Sequence, residues 1–203
     1  MSATFYNTIK KPSTAEFKDR GSKFLGFAFP ISSIEDFKLH RAQLKKEHLK
    51  ANHHCFAYRL GTEGMNYRVS DDGEPSGSAG RPILGQIDSH QLTDILIIVV
   101  RYFGGTLLGV SGLINAYKTT AALAVQQTVI VQKPVLINYL LQFDYMQMNE
   151  VMNFIKQSDC IVHKQELQLF CLLDIGIPKN KLEAMFTRLK DIRGLEITQP
   201  ATL

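Results

Sequence analysis

The chain has 203 residues, 45% hydrophobic and 21% charged, values that exclude wholesale disorder and allow one large domain or two smaller ones. Its 23 Lys/Arg against 19 Asp/Glu give a formal charge of +4, a mild basic bias that permits nucleic-acid contact without arguing for it. Three cysteines, Cys55, Cys160 and Cys171, cannot pair completely and lack metal-type spacing, which argues against a disulfide framework and suits a reducing cytosol. The opening MSATFYNTIKK has no apolar h-region, and the longest apolar run, 95–100, is far short of a membrane span. A cytoplasmic protein is expected.

In chain order, Phe24 to Ile31 reads as a strand. Ser32 or Ser33 can cap a helix from Ile34 to about Leu49, with Asp36 in the capping-box position. Its charged face (Lys38, Arg41, Lys45, Lys46, Lys50) is either solvated or a binding stripe. His53 to Leu60 and Tyr67 to Ser70 form a hairpin around residues 61–64. The β-branched run Ile95 to Arg101 predicts a central strand buried on both faces. Val110 to about Val129 is a helix lined by Leu113, Tyr117 and Ala124.

A boundary is expected near Pro134, giving domains 1–131 and 132–203. Residues 1–130 carry 15 Lys/Arg, 11 Asp/Glu and 12 of the 14 glycines, so the whole net charge lies there and the remainder is neutral. The second part reads as strand Val135 to Phe143, a helix with Met148, Val151, Met152 and Ile155, strands Ile161 to Glu166 and Leu167 to Ile175, a break at Gly176, a helix opened by Pro178, and strand Leu195 to Thr198. The alternating strand includes Leu169. That β-α-β-β-α-β order is the ferredoxin-like pattern, so the fold class is α+β. The Met and Phe stripe marks core rather than a cofactor site.

Two glycine-rich stretches, 68–82 and 101–113, concentrate the candidate chemistry, with ten glycines between Gly61 and Gly112. Glycine at that density weakens regular structure, so positive φ or close backbone approach must offset it. Asp71, Asp72 and Glu74 are candidate Mg²⁺ ligands, or acids of a polar turn bonded to its own backbone. Gly104 and Gly105, between strand and helix, suggest a phosphate cradle or tight strand–helix packing; the spacing is neither a Walker A loop nor a dinucleotide fingerprint. Ser76 and Ser78 are not in a nucleophile elbow. His53 and His54 point to opposite faces of a strand, so both cannot serve one site, and nothing local suggests a Ser/His or Cys/His hydrolase. Arg20, Lys23, Arg68, Arg81, Arg101 and Lys118, with Tyr102 beside Arg101, suggest a phosphate- and base-binding face; Tyr102 and Phe103 read equally as core.

The ordered segments Arg20-Gly21-Ser22-Lys23-Phe24, Ser70 to Leu84, Val100 to Gly105, Leu108-Gly109, Gly112-Leu113 and Ala116-Tyr117 resemble the signature of the IMPACT/YigZ family over roughly residues 15–125. The neutral part is similar to a C-terminal domain of elongation factor G. The resemblance implies an N-terminal fold like the second domain of a small-subunit ribosomal protein. It also implies a translation-associated role: eukaryotic relatives regulate translation by binding other proteins, and bacterial members suggest nucleic-acid or ribosome association. One departure is Ser111, where the pattern leads one to expect glycine.

Three functions are therefore expected to compete. The first is a non-enzymatic translation regulator or accessory factor that binds RNA or the ribosome, with no cofactor, through Arg20, Lys23, Arg68, Ser76, Ser78, Arg81, Arg101, Tyr102, Gly104, Gly105 and Lys118. The second is an Mg²⁺-dependent enzyme or binding protein for a small phosphorylated ligand. The third is a protein-interaction module docking through the ferredoxin-like sheet.

Overall fold

Six consecutive side chains, Ile95 to Val100, are fully buried, which requires cover on both faces of their strand. The computed structural model, which describes residues 3–168 and 170–200, supplies it. The chain divides into a first unit, Tyr6–Lys133, and a second made of Pro134 onward with the residues before Tyr6.

Strands β1 (Phe5–Ile9), β2 (Ser13–Asp19) and β3 (Ser22–Pro30) lead into helix α1 (Ile34–Glu47). Strands β4 (His53–Leu60) and β5 (Asn66–Ser70) follow, then α2 (Gly80–Ser89), β6 (Ile95–Tyr102), α3 (Gly109–Gln126) and β7 (Ile130–Pro134). A five-stranded antiparallel sheet has the order β2-β3-β6-β4-β5, with β6 in the middle. Strand β1 pairs with β7 in a separate ribbon. Odd-numbered β6 residues Ile95, Ile97 and Val99 pack with Ile83 and Ile87 of α2 and Leu113, Ala116 and Tyr117 of α3. Even-numbered Leu96, Ile98 and Val100 pack with Phe37 and Leu44 of α1.

The α1 start forms the expected capping box: Ser33 Oγ accepts from Asp36 N–H (3.1 Å) while Asp36 Oδ2 accepts from Ser33 N–H (3.1 Å). Helix α2 was not foreseen. Its Pro82 lies in the first turn, where a missing N–H costs no helical hydrogen bond, so the proline that reads as a loop residue is compatible with a helix. Strands β1, β2 and β7 were also missed. Ser111 lies within α3 and has no positive φ, so the expected glycine has no conformational requirement to meet there.

In the second unit, β8 (Leu136–Asp144), α4 (Met148–Gln157), β9 (Ile161–Leu167), β10 (Phe170–Pro178), α5 (Leu182–Lys190) and β11 (Glu196–Thr198) follow in the expected β-α-β-β-α-β order. The sheet order is β11-β8-β10-β9, all antiparallel. Tyr139, Leu141, Phe143, Leu173 and Ile175 form its core with Val151 and Phe154 of α4 and Met185 and Leu189 of α5. Leu169 lies outside the described residues. Gly176 does not break β10; a Cβ there would meet His163 Nε2 at 2.7 Å and Leu136 Cβ at 3.2 Å, so glycine answers a close approach across the sheet. Pro178 precedes a 3₁₀ turn, 179–181, and α5 begins only at Leu182.

Candidate nucleic-acid interface

Both glycine-rich stretches come together at one end of the five-stranded sheet, because β2 turns into β3 there, β6 ends there and β4 begins there. The β2–β3 turn has two residues, Arg20 (φ +44°) and Gly21 (φ +79°), matching the doubly positive turn that suits a twisted hairpin. Gly104 lies against it. A Cβ at Gly104 would fall 1.9 Å from the Gly21 carbonyl carbon and 2.2 Å from Ser22 N. Two backbones meet here, which accounts for Gly104 as well as for Gly21.

The acids of the 71–80 loop are turned inward, each to different partners. Asp71 Oδ1 accepts from the backbone N–H of Ala79 (3.0 Å) and Gly80 (2.8 Å), and Oδ2 from Gly77 N–H (2.9 Å). It therefore caps α2 from eight residues upstream of Ala79, whose own side chain offers no cap. Asp72 Oδ2 accepts from His54 N–H at 2.7 Å, and its carboxylate stands 3.8 Å from Arg41 and 3.9 Å from Lys45 on α1. Glu74 is buried: Arg101 Nη1 donates to its Oε1 at 2.6 Å, Tyr117 Oη at 2.8 Å, and His53 Nε2 stands 3.8 Å away. Glu74, Tyr117, Cys55 and the Asp71 carbonyl form one chain, since Cys55 Sγ lies 3.3 Å from Tyr117 Oη and 3.0 Å from Asp71 O.

That arrangement corrects three expectations. Asp71, Asp72 and Glu74 do not converge on a common point, and among the described residues no three His, Cys, Asp or Glu side chains gather to hold a metal. Arg101, expected on a binding face, is 5% exposed, with its guanidinium over the Phe24 and Phe103 rings (5.4 and 5.6 Å) and its charge held by Glu74. Ser78 is fully buried and donates to Pro75 O at 2.6 Å. Tyr102 is half-buried, its hydroxyl 2.8 Å from His48 Nδ1. Lys23 is half-buried and pairs with Glu16 at 2.8 Å. Arg20, Arg68, Ser76, Arg81, Gly104, Gly105 and Lys118 are exposed. Among the described residues, Arg20, Arg68, Arg81 and Lys118 form no ion pair.

Burial raises the pKa of both Cys55 and Tyr117, so both stay protonated at neutral pH and Cys55 presents no thiolate. Burial also lowers the pKa of His54, keeping its imidazole neutral. For Asp71, burial alone would raise the pKa, but the three backbone donors and Arg81 outweigh it and the net shift is downward. A depressed carboxylate stabilises the fold above the ordinary carboxylate range, and that contribution is lost as pH falls through the folded value. Asp71→Asn should therefore flatten the acid limb of α2 stability, read by hydrogen exchange at Ile83 and Ile87. An unchanged acid limb would remove Asp71 as the cap.

Sequence reasoning missed two positions. Asn52 Oδ1 accepts from Phe103 N–H at 2.8 Å, and Asn52 N–H donates to Arg101 O at 2.9 Å, pinning the end of β6. Gly26 lets α3 approach β3, since a Cβ there would meet Thr120 O at 2.9 Å. Neither carries a local signal: one is an asparagine before a strand, the other a glycine inside one.

The fold and this end of its sheet define a two-unit protein of mixed helices and antiparallel sheets, whose glycine-rich loops lock together around a buried ion pair beneath exposed basic side chains. Comparison with known proteins agrees. The Impact N-terminal domain family matches residues 20–125. The chain is 32% identical over 182 residues to the IMPACT family member YigZ of Escherichia coli (strain K12), covering 89% of each chain. It is 34% identical over 95 residues to the Protein IMPACT homolog of Saccharomyces cerevisiae, which is 45% of this chain and 36% of that protein. A crystal structure of a hypothetical protein matches with a TM-score of 0.79 and 29% identity, covering 99% of this chain and 100% of that one. The chain belongs to the IMPACT family.

Proposed function

We propose that the protein is a non-enzymatic, translation-associated factor that binds RNA, free or on the ribosome, through exposed basic residues of the first unit. Family membership supports the link to translation. The observation that carries the RNA reading is the inward turn of Asp71, Asp72 and Glu74: with these acids occupied, the exposed basic side chains left without an ion pair around the loops are Arg20, Arg68, Arg81 and Lys118. Guanidinium groups held on a rigid scaffold suit phosphate recognition. The same reading takes the first unit as the ribosomal-protein-like domain and the second as ferredoxin-like, whose strand order it has. Among the described residues no helix is long and apolar enough to cross a membrane.

The test is fluorescence anisotropy with labelled single-stranded RNA across a salt series. Binding should weaken with salt, and replacing Arg20, Arg81 and Lys118 with glutamate should lower the affinity and reduce the log–log salt slope by about 0.7 for each phosphate contact removed. Absence of binding at low salt, together with failure to co-sediment with ribosomes, would end this reading.

A further inference from the structure

Helix α3 carries a second feature that RNA recognition does not use. Its inward face is apolar, with Leu113, Ala116, Tyr117 and Ala121 buried. Val110 and Ile114 lie at the edge of that face, three residues before Leu113 and Tyr117, yet Val110 is 54% exposed and Ile114 is 39% exposed. Just before the helix, Leu107 is 82% exposed and Phe103 is 45% exposed. Val110, Ile114 and Lys118 follow one another at intervals of four on one helix face. Four large apolar side chains within twelve residues are not the scattered exposure normal to a soluble surface. Three of them are aliphatic, and aliphatic side chains neither stack on bases nor hydrogen-bond to them.

Basic side chains stand at both ends of this stripe. No Asp or Glu occurs between Asp94 and Asp144. Lys118 stands at the far end of the stripe, and the Arg20 turn touches Gly104 at the near end. Exposed Arg81 begins α2, the helix packed beside α3. An occupant must bring apolar side chains at helical spacing and supply the missing negative charge.

We infer that the stripe Leu107–Val110–Ile114 is a docking surface for an acidic amphipathic helix of a protein partner. Leucine-type side chains of that helix would pack along the stripe, while its flanking carboxylates face Arg20, Arg81 and Lys118. This inference goes beyond the RNA reading and can fail separately from it.

The probe is a labelled synthetic peptide of about 18 residues, with Leu at i, i+3, i+4 and i+7, Glu beside that apolar face and Ala elsewhere to favour helix in water. Titrated into the full-length ¹⁵N-labelled protein, it should shift the amide signals of residues 105–118 selectively. The double variant Leu107→Glu with Val110→Glu should bind it at least tenfold more weakly. Should that variant unfold, the single change Ile114→Ser reads the loss of the apolar contact without adding charge. A peptide with Lys in place of Glu should not bind.

The inference is overturned if the shifts map elsewhere, if the variants bind the Glu peptide as tightly, or if the Lys peptide binds equally well. It is also overturned if the signals move with protein concentration alone, which would make the occupant a second copy. Single-stranded RNA shifting Leu107, Val110 and Ile114, with the same loss in the double variant, would likewise reassign the stripe.

Discussion

Arg101→Ala is expected to cost the first unit about 3–5 kcal/mol, because it leaves Glu74 as a buried carboxylate without its counter-charge. The pair lies at 2.6 Å with both side chains nearly inaccessible, so water cannot replace the lost partner. The guanidinium also packs over Phe24 and Phe103, and alanine forfeits those contacts too. Glu74→Gln should be milder, since its oxygen still accepts from Tyr117. Removing the whole polar set, with Arg101→Met, Glu74→Leu and Tyr117→Phe together, should recover most of the loss, because a buried ion pair competes poorly with apolar groups of similar volume. The chain has no tryptophan, so unfolding in urea is followed by tyrosine fluorescence, with hydrogen exchange at the β6 amides isolating the first unit. A cost below about 1 kcal/mol for Arg101→Ala would place the pair with weak surface bridges and remove it as the anchor of the 71–80 loop.

The consequence for function is indirect. Arg101 anchors the loop from beneath, and Asp71 and Asp72 tie its start to α2 and to α1 and β4. Loss of RNA affinity in an Arg101 variant would therefore report loop disorder, whereas loss in an Arg81 variant with unchanged stability would report a lost contact.

Much of the fold was legible where a single local rule decides. The run Ile95 to Val100 forces a doubly covered strand, and it is the central one. Ser33 with Asp36 marks the start of α1 by its own hydrogen bonds. Alternation in β8 and β10, with helical spacing in α4 and α5, carries the second unit. What was not legible depends on distant partners. Strand β2 alternates Thr14, Glu16 and Lys18 outward but offers only Ser13, Ala15 and Phe17 inward, too weak a pattern without α3 to cover it. Helix α2 is hidden by glycine and proline, and its cap is a carboxylate eight residues before its N-cap position. At the candidate site, residue type marked the right segments but not which way each side chain faces. Arg81 and Arg101 are the same residue type, but Arg101 stands on the central strand against Glu74, Ser22 and Phe24 whereas Arg81 opens α2 in solvent. The apolar stripe on α3 was likewise invisible as a surface, because Val110 and Ile114 read as ordinary helix residues until the buried face is known.

Gly104→Ala is the second large effect, and its size comes from what surrounds the missing side chain. The new Cβ would sit 1.9 Å from the Gly21 carbonyl carbon, with Gly21 O and Ser22 N each at 2.2 Å. All three are backbone atoms, so no rotamer change relieves the clash, and either the β2–β3 turn or the 103–108 loop must move. Both are held. The turn is fixed by the pairing of Asp19 with Ser22, and Ser22 Oγ accepts from Gly104 N–H at 3.2 Å and from Arg101 Nη2 at 3.4 Å. The expected cost is about 3 kcal/mol, at the upper end for overpacking. Gly105→Ala provides the comparison: Gly105 has φ +85° but no atom within 4 Å of its would-be Cβ, so only backbone strain of about 1–2 kcal/mol applies. Unfolding in urea should therefore rank Gly104→Ala clearly below Gly105→Ala in stability, with amide shifts at Arg20 to Ser22 in the first variant alone. A reversed order would mean that these two backbones part without cost, and that the meeting of the two glycine-rich segments does not hold Arg20 in place.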